Sequence, residues 1–293
     1  MSFDQNAFLI ILTGSLIAIS CGLLGVFMML RKMAMTGDAI SHAVLPGIVI
    51  GFFVAGSQRG LEVIIGAGIL GIIATLIIDW LRKKARVQLD ASIGITFTLL
   101  FAIGIILINL FAYNVDLDQE CVLYGEIAYL PIDLWVTGSG TILGPRITYL
   151  AVLNFTLVAG FIYFFFKELT LTSFDESFGS VMGIPSKGIN LALMSMVSYT
   201  TVSSFEAVGA ILVVALLVVP PATAFLWTKN LMPLIKLTTI LGIGISILGY
   251  YLAYLFDSSI AGMMVTVAGV LFLLSALIKG RSSKSAGTSM ANI

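Results

Sequence analysis

The chain has 293 residues, 59% of them hydrophobic and only 10% charged, and a formal net charge of zero. That leaves too little polar surface to wrap a soluble core of this size, and no hydrophilic run is long enough to build a second domain. Two cysteines exclude a disulfide framework, and no nucleic-acid partner is expected.

Taken in chain order, apolar runs of roughly 20 residues, the length a helix needs to cross a bilayer, predict spans near 8–30, 37–57, 61–81, 91–112, 147–167, 189–205, 207–227, 234–255 and 260–278. The expected fold class is therefore an all-α polytopic membrane protein of about nine transmembrane helices. Residues 1–293 read as a single integral-membrane domain in contact with lipid, with spans from about 8 to 280 and a tail over 281–293. The N-terminal stretch lacks a positive n-region, and no small-residue cleavage site follows the first run, so it is expected to be retained.

The joints between spans sort by charge. Arg31–Lys32, the run from Arg82 to Arg86, Lys167 to Lys187, Lys229 to Lys236 and the tail hold 13 of the 15 basic residues. Only Arg59 and Arg146 fall on the other side. The positive-inside rule then predicts an external N-terminus, a cytoplasmic C-terminus and a multi-pass place in a bacterial-type cell membrane. Under this topology the acidic residues Asp116, Asp118 and Glu120 collect in one external loop, where they form a funnel for cations or simply solvate the loop. Glu206, between the sixth and seventh runs, is either a turn residue or part of an external gate.

Within the second run stands Asp38, four residues before the chain's single histidine, His42. On a helix the two share one face. Titratable groups are costly in a lipid interior and usually mark a function there. Pro46 follows His42 by one turn and predicts that the helix is short, kinked or broken nearby, as in the discontinuous helices that build ion sites in transporters. A carboxylate and an imidazole together suit manganese, iron or zinc better than alkali metals. A bland reading stands beside this one, in which the imidazole only bonds a neighbouring helix and Asp38 caps the helix start. Cys21 and Cys121 are expected to form neither a bridge nor a metal site. Glycines such as Gly66, Gly68, Gly71, Gly242 and Gly244 read as helix packing.

The stretch from Met35 to Gly47 (MTGDAISHAVLPG) closely resembles the signature of the membrane permease subunits of ABC importers for manganese, zinc and iron. The likeness continues through Asp90–Ile95, Ser173–Glu176, Met182–Pro185 and Val208–Ala224, with Pro221 departing from the family's usual Pro-Ala-Ala-Thr-Ala. It runs from about residue 8 to 280. The resemblance implies a fold similar to the cobalamin and iron–siderophore importer permeases. It also implies a second permease subunit, identical or homologous, two cytoplasmic ATPase subunits and an extracellular metal-binding protein. In that family the aspartate and histidine of the motif line the path as metal ligands, here Asp38 and His42. The expected function is passage of a divalent transition metal, manganese first and zinc or iron as alternatives, with no permanently bound cofactor. A carrier driven by a proton or sodium gradient is the other reading.

The chain itself has no G-x-x-x-x-G-K-[ST] sequence, so ATP hydrolysis would belong to a partner and catalytic residues are not expected. Two cytoplasmic joints are candidates to receive that partner. Residues 168–188 read as a polar, amphipathic interlude. Residues 220–230 read as a turn at Pro220 and Pro221 presenting Phe225, Leu226 and Trp227, which could equally be an interfacial aromatic anchor.

Overall fold

The computed structural model describes residues 5–55, 61–111, 127–130, 134–136 and 142–290. Its helices are α1 (Gln5–Leu30), α2 (Ala34–Ala43), α3 (Leu45–Ala55), α4 (Leu61–Lys83), α5 (Leu89–Phe111), α6 (Arg146–Phe164), α7 (Phe166–Phe174), α8 (Glu176–Val181), α9 (Ser186–Trp227), α10 (Leu231–Phe256) and α11 (Ile260–Met290). Between α5 and α6 lie a short 3₁₀ turn at Ile127–Tyr129 and a hairpin of β1 (Leu134–Val136) with β2 (Ile142–Pro145). The hairpin is antiparallel, with Leu134 opposite Pro145 and Val136 opposite Ile142. Eight of the helical stretches are long and apolar enough to cross a membrane, α2 and α3 counting together as one.

α9 is the element that the sequence divided differently. Its 42 residues are two helical arms joined at Gly209, which sits at φ 74° and ψ 163°, a backbone region that only glycine enters cheaply. The chain reverses there. Asn190 on its first arm meets Arg31 at the end of α1, while Leu217 and Pro221 on its second arm press on Gly25, also near the end of α1. One straight helix would hold Asn190 and Leu217 about 40 Å apart, whereas residues 25 and 31 of α1 are only about 9 Å apart. The first arm, 186–208, therefore runs up the bundle and the second arm, 210–227, runs back. The joint expected at Glu206 falls three residues later, and residue 206 stays helical.

The first arm is not among the eight apolar stretches, because Ser195, Ser198, Thr200, Thr201, Ser203 and Ser204 dilute it. Counting it, the described helices traverse the bundle nine times. The start of α1 and the end of α11 accordingly lie toward opposite ends of the bundle. Gly14 of α1 lies beside Met264 at the start of α11, while Lys279 near the far end of α11 stands 5.8 Å over the ring of Trp227.

Pro220 and Pro221 do not form the expected turn: they lie inside the second arm, and the helix continues to Trp227 before the chain turns at 228–230. A proline removes the donor for the carbonyl four residues earlier, which for Pro221 is that of Leu217. Gly25 accounts for the tolerance. A Cβ at that position would collide with the Leu217 carbonyl oxygen, so α1 brings bare backbone against the carbonyl that lost its partner. Membrane helices keep such prolines where neighbouring backbone covers the gap.

The main core is built around α1 and both arms of α9, with Leu24, Phe27, Met28, Leu193, Met194, Leu212 and Leu216 almost wholly buried. One end of the bundle gathers the basic residues: Arg31, Lys32, Arg82, Lys83 and Lys187 line a single cavity of about 310 Å³ there. Arg146 lies at the opposite end, where Thr148 bonds Thr13.

Candidate metal centre

α1 closes on Lys32, whose left-handed φ of 59° lets its amide bond Met29 O at 3.0 Å and lets that of Met33 bond Met28 O at 2.9 Å. Three residues thus separate α1 from α2. Met33 is the N-cap of α2 and makes no side-chain capping bond. Asp38 stands in the second turn, so it does not cap the helix start. The face of α2 bearing Thr36, Ile40 and Ala43 is buried, with Ile40 close to Gly71 of α4. The other face carries Asp38 and His42.

That second face is open: the Asp38 side chain is 50% exposed and His42 32% exposed, with His42 Nε2 3.7 Å from Asp38 Oδ1. This is beyond hydrogen-bond reach. Metal–ligand bonds of about 2.1 Å place two ligand atoms of one ion roughly 3.0–3.4 Å apart, so a few tenths of an ångström of side-chain movement puts both on one ion. The imidazole is steadied by α5, where Phe97 lies 5.1 Å away and tilted and Phe101 meets it edge-on at 5.9 Å. α2 ends at Ala43 and α3 begins at Leu45. The break expected near Pro46 is present, and Pro46 offers no N–H to the carbonyl of His42.

Among the described residues, no group of three or more His, Cys, Asp or Glu side chains comes together. Asp38 and His42 offer two donor atoms on a face that is open on its other side. Two ligands on an open face can bind an ion and release it, which suits conduction rather than storage.

The other expected positions are scattered. Asp116, Asp118 and Glu120 lie outside the described residues, and so does the side chain of Glu206. Phe225 is half-buried against Val26, Ala224 and Leu234, Leu226 is half-buried, and Trp227 alone of the three is well exposed. The stretch 168–188 behaves differently. It forms α7 and α8, with Asp175 capping α8 through a 2.9 Å bond from the amide of Phe178. Phe174, Phe178, Val181 and Met182 are all exposed along it.

Sequence reading passed over Phe97 and Phe101, whose spacing of one helical turn was the available signal. It also passed over a buried polar cluster: Asn154 of α6 accepts from Thr200 Oγ1 at 3.1 Å and donates to Ser204 Oγ at 3.4 Å.

Comparison with known proteins bears on the whole chain. Residues 3–279 match the model of the ABC 3 transport family. The chain is 43% identical over 272 residues to the manganese transport system membrane protein MntD of Bacillus subtilis, covering 93% of this chain and 90% of that one. It is 39% identical over 275 residues to the zinc transport system membrane protein TroD of Treponema pallidum, covering 90% and 72% respectively. Among solved structures, PsaBC from Streptococcus pneumoniae in complex with Fab aligns with a TM-score of 0.75 at 33% identity, over 94% of this chain and 91% of that one. An inward-facing metal-chelate type ABC transporter shares the fold, with a TM-score of 0.66 at 18% identity over 94% and 88%. A model that spans nearly all of the chain, together with relatives of this identity, places this protein in the ABC 3 transport family.

Proposed function

We propose that this chain is the membrane-spanning subunit of an ATP-driven importer for a divalent transition metal, with manganese as its cargo, and that Asp38 and His42 hold the ion in transit. The observation that carries the reading is the open carboxylate–imidazole face on a broken helix, 3.7 Å between the two groups, in a chain 43% identical to a manganese transport protein. Zinc is the second cargo to test, since a relative at 39% identity is a zinc transport protein and imidazole suits zinc well.

A second permease subunit, identical or homologous, completes the centre by facing its own ligands across a two-fold axis. The half-exposure of Asp38 and His42 supports this, because a carboxylate turned toward lipid alone would be expensive. ATP hydrolysis belongs to two separate cytoplasmic subunits, and an extracellular binding protein delivers the metal. The basic end of the bundle is cytoplasmic by the positive-inside rule, which puts the N-terminus outside and the C-terminus in the cytoplasm. α8 is the favoured docking element for the ATPase: Phe178, Val181 and Met182 stand exposed at that basic end, whereas Phe225 is packed inward. Trp227 contributes at the rim.

Uptake of Mn²⁺, Zn²⁺ and Fe²⁺ into proteoliposomes, with ATPase and binding protein supplied, tests the reading. ATP-dependent uptake in which Mn²⁺ outcompetes the others is expected. Uptake driven by a proton or sodium gradient without ATP would overturn it in favour of a secondary carrier. Impermeant labelling of single cysteines placed at Ser2 and Ser283 tests the orientation, with label from outside expected only at residue 2.

A further inference from the structure

We infer that Arg31 is a positioning residue that couples the surface offered to the ATPase to the helix bearing Asp38 and His42; this rests on the importer reading above. Arg31 follows the last residue of α1, and three of the groups its guanidinium reaches lie on two other elements among the described residues. Nε donates to Ser173 Oγ at 3.0 Å and Nη2 to Thr172 Oγ1 at 2.8 Å, both on α7. Nη1 donates to Asn190 Oδ1 at 3.1 Å, on the first arm of α9. A planar fork with fixed donor directions sets the relative placement of its partners in a way a lysine ammonium does not.

Each side of this joint has little slack. Thr172 Oγ1 also donates to Glu168 O at 2.7 Å, which orients the hydroxyl lone pairs toward Arg31. α7 passes directly into α8 through the Asp175 cap, so the exposed apolar residues of α8 move with the hydroxyls that Arg31 holds. On the other side, only Lys32 and Met33 separate Arg31 from α2, and both amides are bonded back to α1. The first metal ligand, Asp38, comes one turn after the start of α2. A displacement of α8 thus reaches Asp38 through one guanidinium and a two-residue turn. The cavity of about 310 Å³ that Arg31, Lys32, Thr172, Ser173 and Asn190 help to line gives α7 room to shift.

The first arm of α9 gives the joint its third member. Asn190 stands in the second turn of the arm whose Ser198 packs on Gly71 of α4, beside Ile40 of α2. Arg31 therefore grips α9 at one end of the same arm that lies behind the metal face. A residue that merely cemented α1 to α7 would have no need of this third bond.

The test is the number of ATP molecules hydrolysed per Mn²⁺ imported, in the complete complex reconstituted with ATPase and binding protein. Arg31→Lys, which keeps the charge and loses the fork, and Asn190→Leu, which removes the α9 acceptor, are compared with wild type and with each other combined. Both single variants are expected to assemble and to hydrolyse ATP, while the ATP-to-metal ratio rises about fivefold or more, the lower range of site-to-site coupling. The double variant should be no worse than the singles, since both break one joint. If Arg31→Lys does not assemble, Asn190→Leu and Ser173→Ala carry the same comparison. An unchanged ratio in the assembled variants, with uptake and hydrolysis falling together, would show that Arg31 only holds the bundle together and would overturn the inference. A wild-type complex that imports no Mn²⁺, Zn²⁺ or Fe²⁺ would overturn the importer reading itself.

Discussion

Asn154 and the Asp38–His42 pair are both polar groups carried on helices of a membrane bundle, and they are treated in opposite ways. Asn154 is 2% exposed and has its amide paired with Thr200 and Ser204 across the α6–α9 contact. Asp38 and His42 are ionisable, half-open and too far apart to bond each other. A neutral group whose oxygen and nitrogen both find partners within the chain contributes to packing, and those bonds offset the cost of its burial. A titratable pair left open has no such structural account. The difference separates polar groups whose bonds are met within the bundle from a pair left open on one side, as the proposed ion site requires.

The largest expected effect follows from that contrast. Asp38→Ala and His42→Ala should each lower metal uptake at least about a hundredfold, since loss of even an outer-shell partner of a metal ligand costs 10- to 100-fold. The thermal midpoint of the solubilised protein should stay near wild type for Asp38→Ala and fall only slightly for His42→Ala, which gives up its ring contacts with Phe97 and Phe101. Uptake assays and thermal unfolding on the same preparations check both halves. Normal import by His42→Ala would make the imidazole a packing group against Phe97 and Phe101.

Asn154→Leu should give the mirror-image result. Loss of the amide leaves Thr200 and Ser204 without their partner across the helix pair, at a cost of about 1–2 kcal/mol on the scale of interhelical hydrogen bonds in membranes. Uptake per assembled complex should be unchanged. Uptake lost at wild-type stability would move the Asn154 cluster from packing to pathway and erase the contrast.

The two regions were not equally legible in the sequence. Asp38 and His42 stood out because a helical spacing of four and the scarcity of titratable residues are both local properties. The apolar spans were legible for the same reason: α1, α4, α5 and α10 lie within a few residues of their expected positions, and α11 begins where expected but runs on to Met290, twelve residues past its expected end. Asn154, Thr200 and Ser204 were silent, since partners 46 and 50 residues apart leave no local pattern. Pro220 and Pro221 misled in the other direction. Read locally they are a turn; the compensation is Gly25, almost two hundred residues away, and only the folded chain brings it there. The α8 surface was visible as an amphipathic interlude, but that its apolar side would be left uncovered while Phe225 packed inward is a fact about tertiary contacts.

Thr201 offers the smallest and most discriminating expectation. It follows Thr200 on the first arm of α9 and is 1% exposed, yet among the described residues its Oγ1 has no hydrogen-bond partner. If the arm's polar groups serve packing, this hydroxyl is a local cost. Thr201→Val keeps the branched shape and removes the orphaned oxygen, an exchange that is near neutral or stabilising when the partner is absent. The expected result is a stability gain between zero and about 1 kcal/mol, with uptake at the wild-type rate. Unfolding in detergent and uptake in proteoliposomes measure the two separately. A loss of uptake at unchanged stability would mean that the hydroxyl meets water on the route of the ion, and the first arm of α9 would then belong with Asp38 and His42 rather than with Asn154.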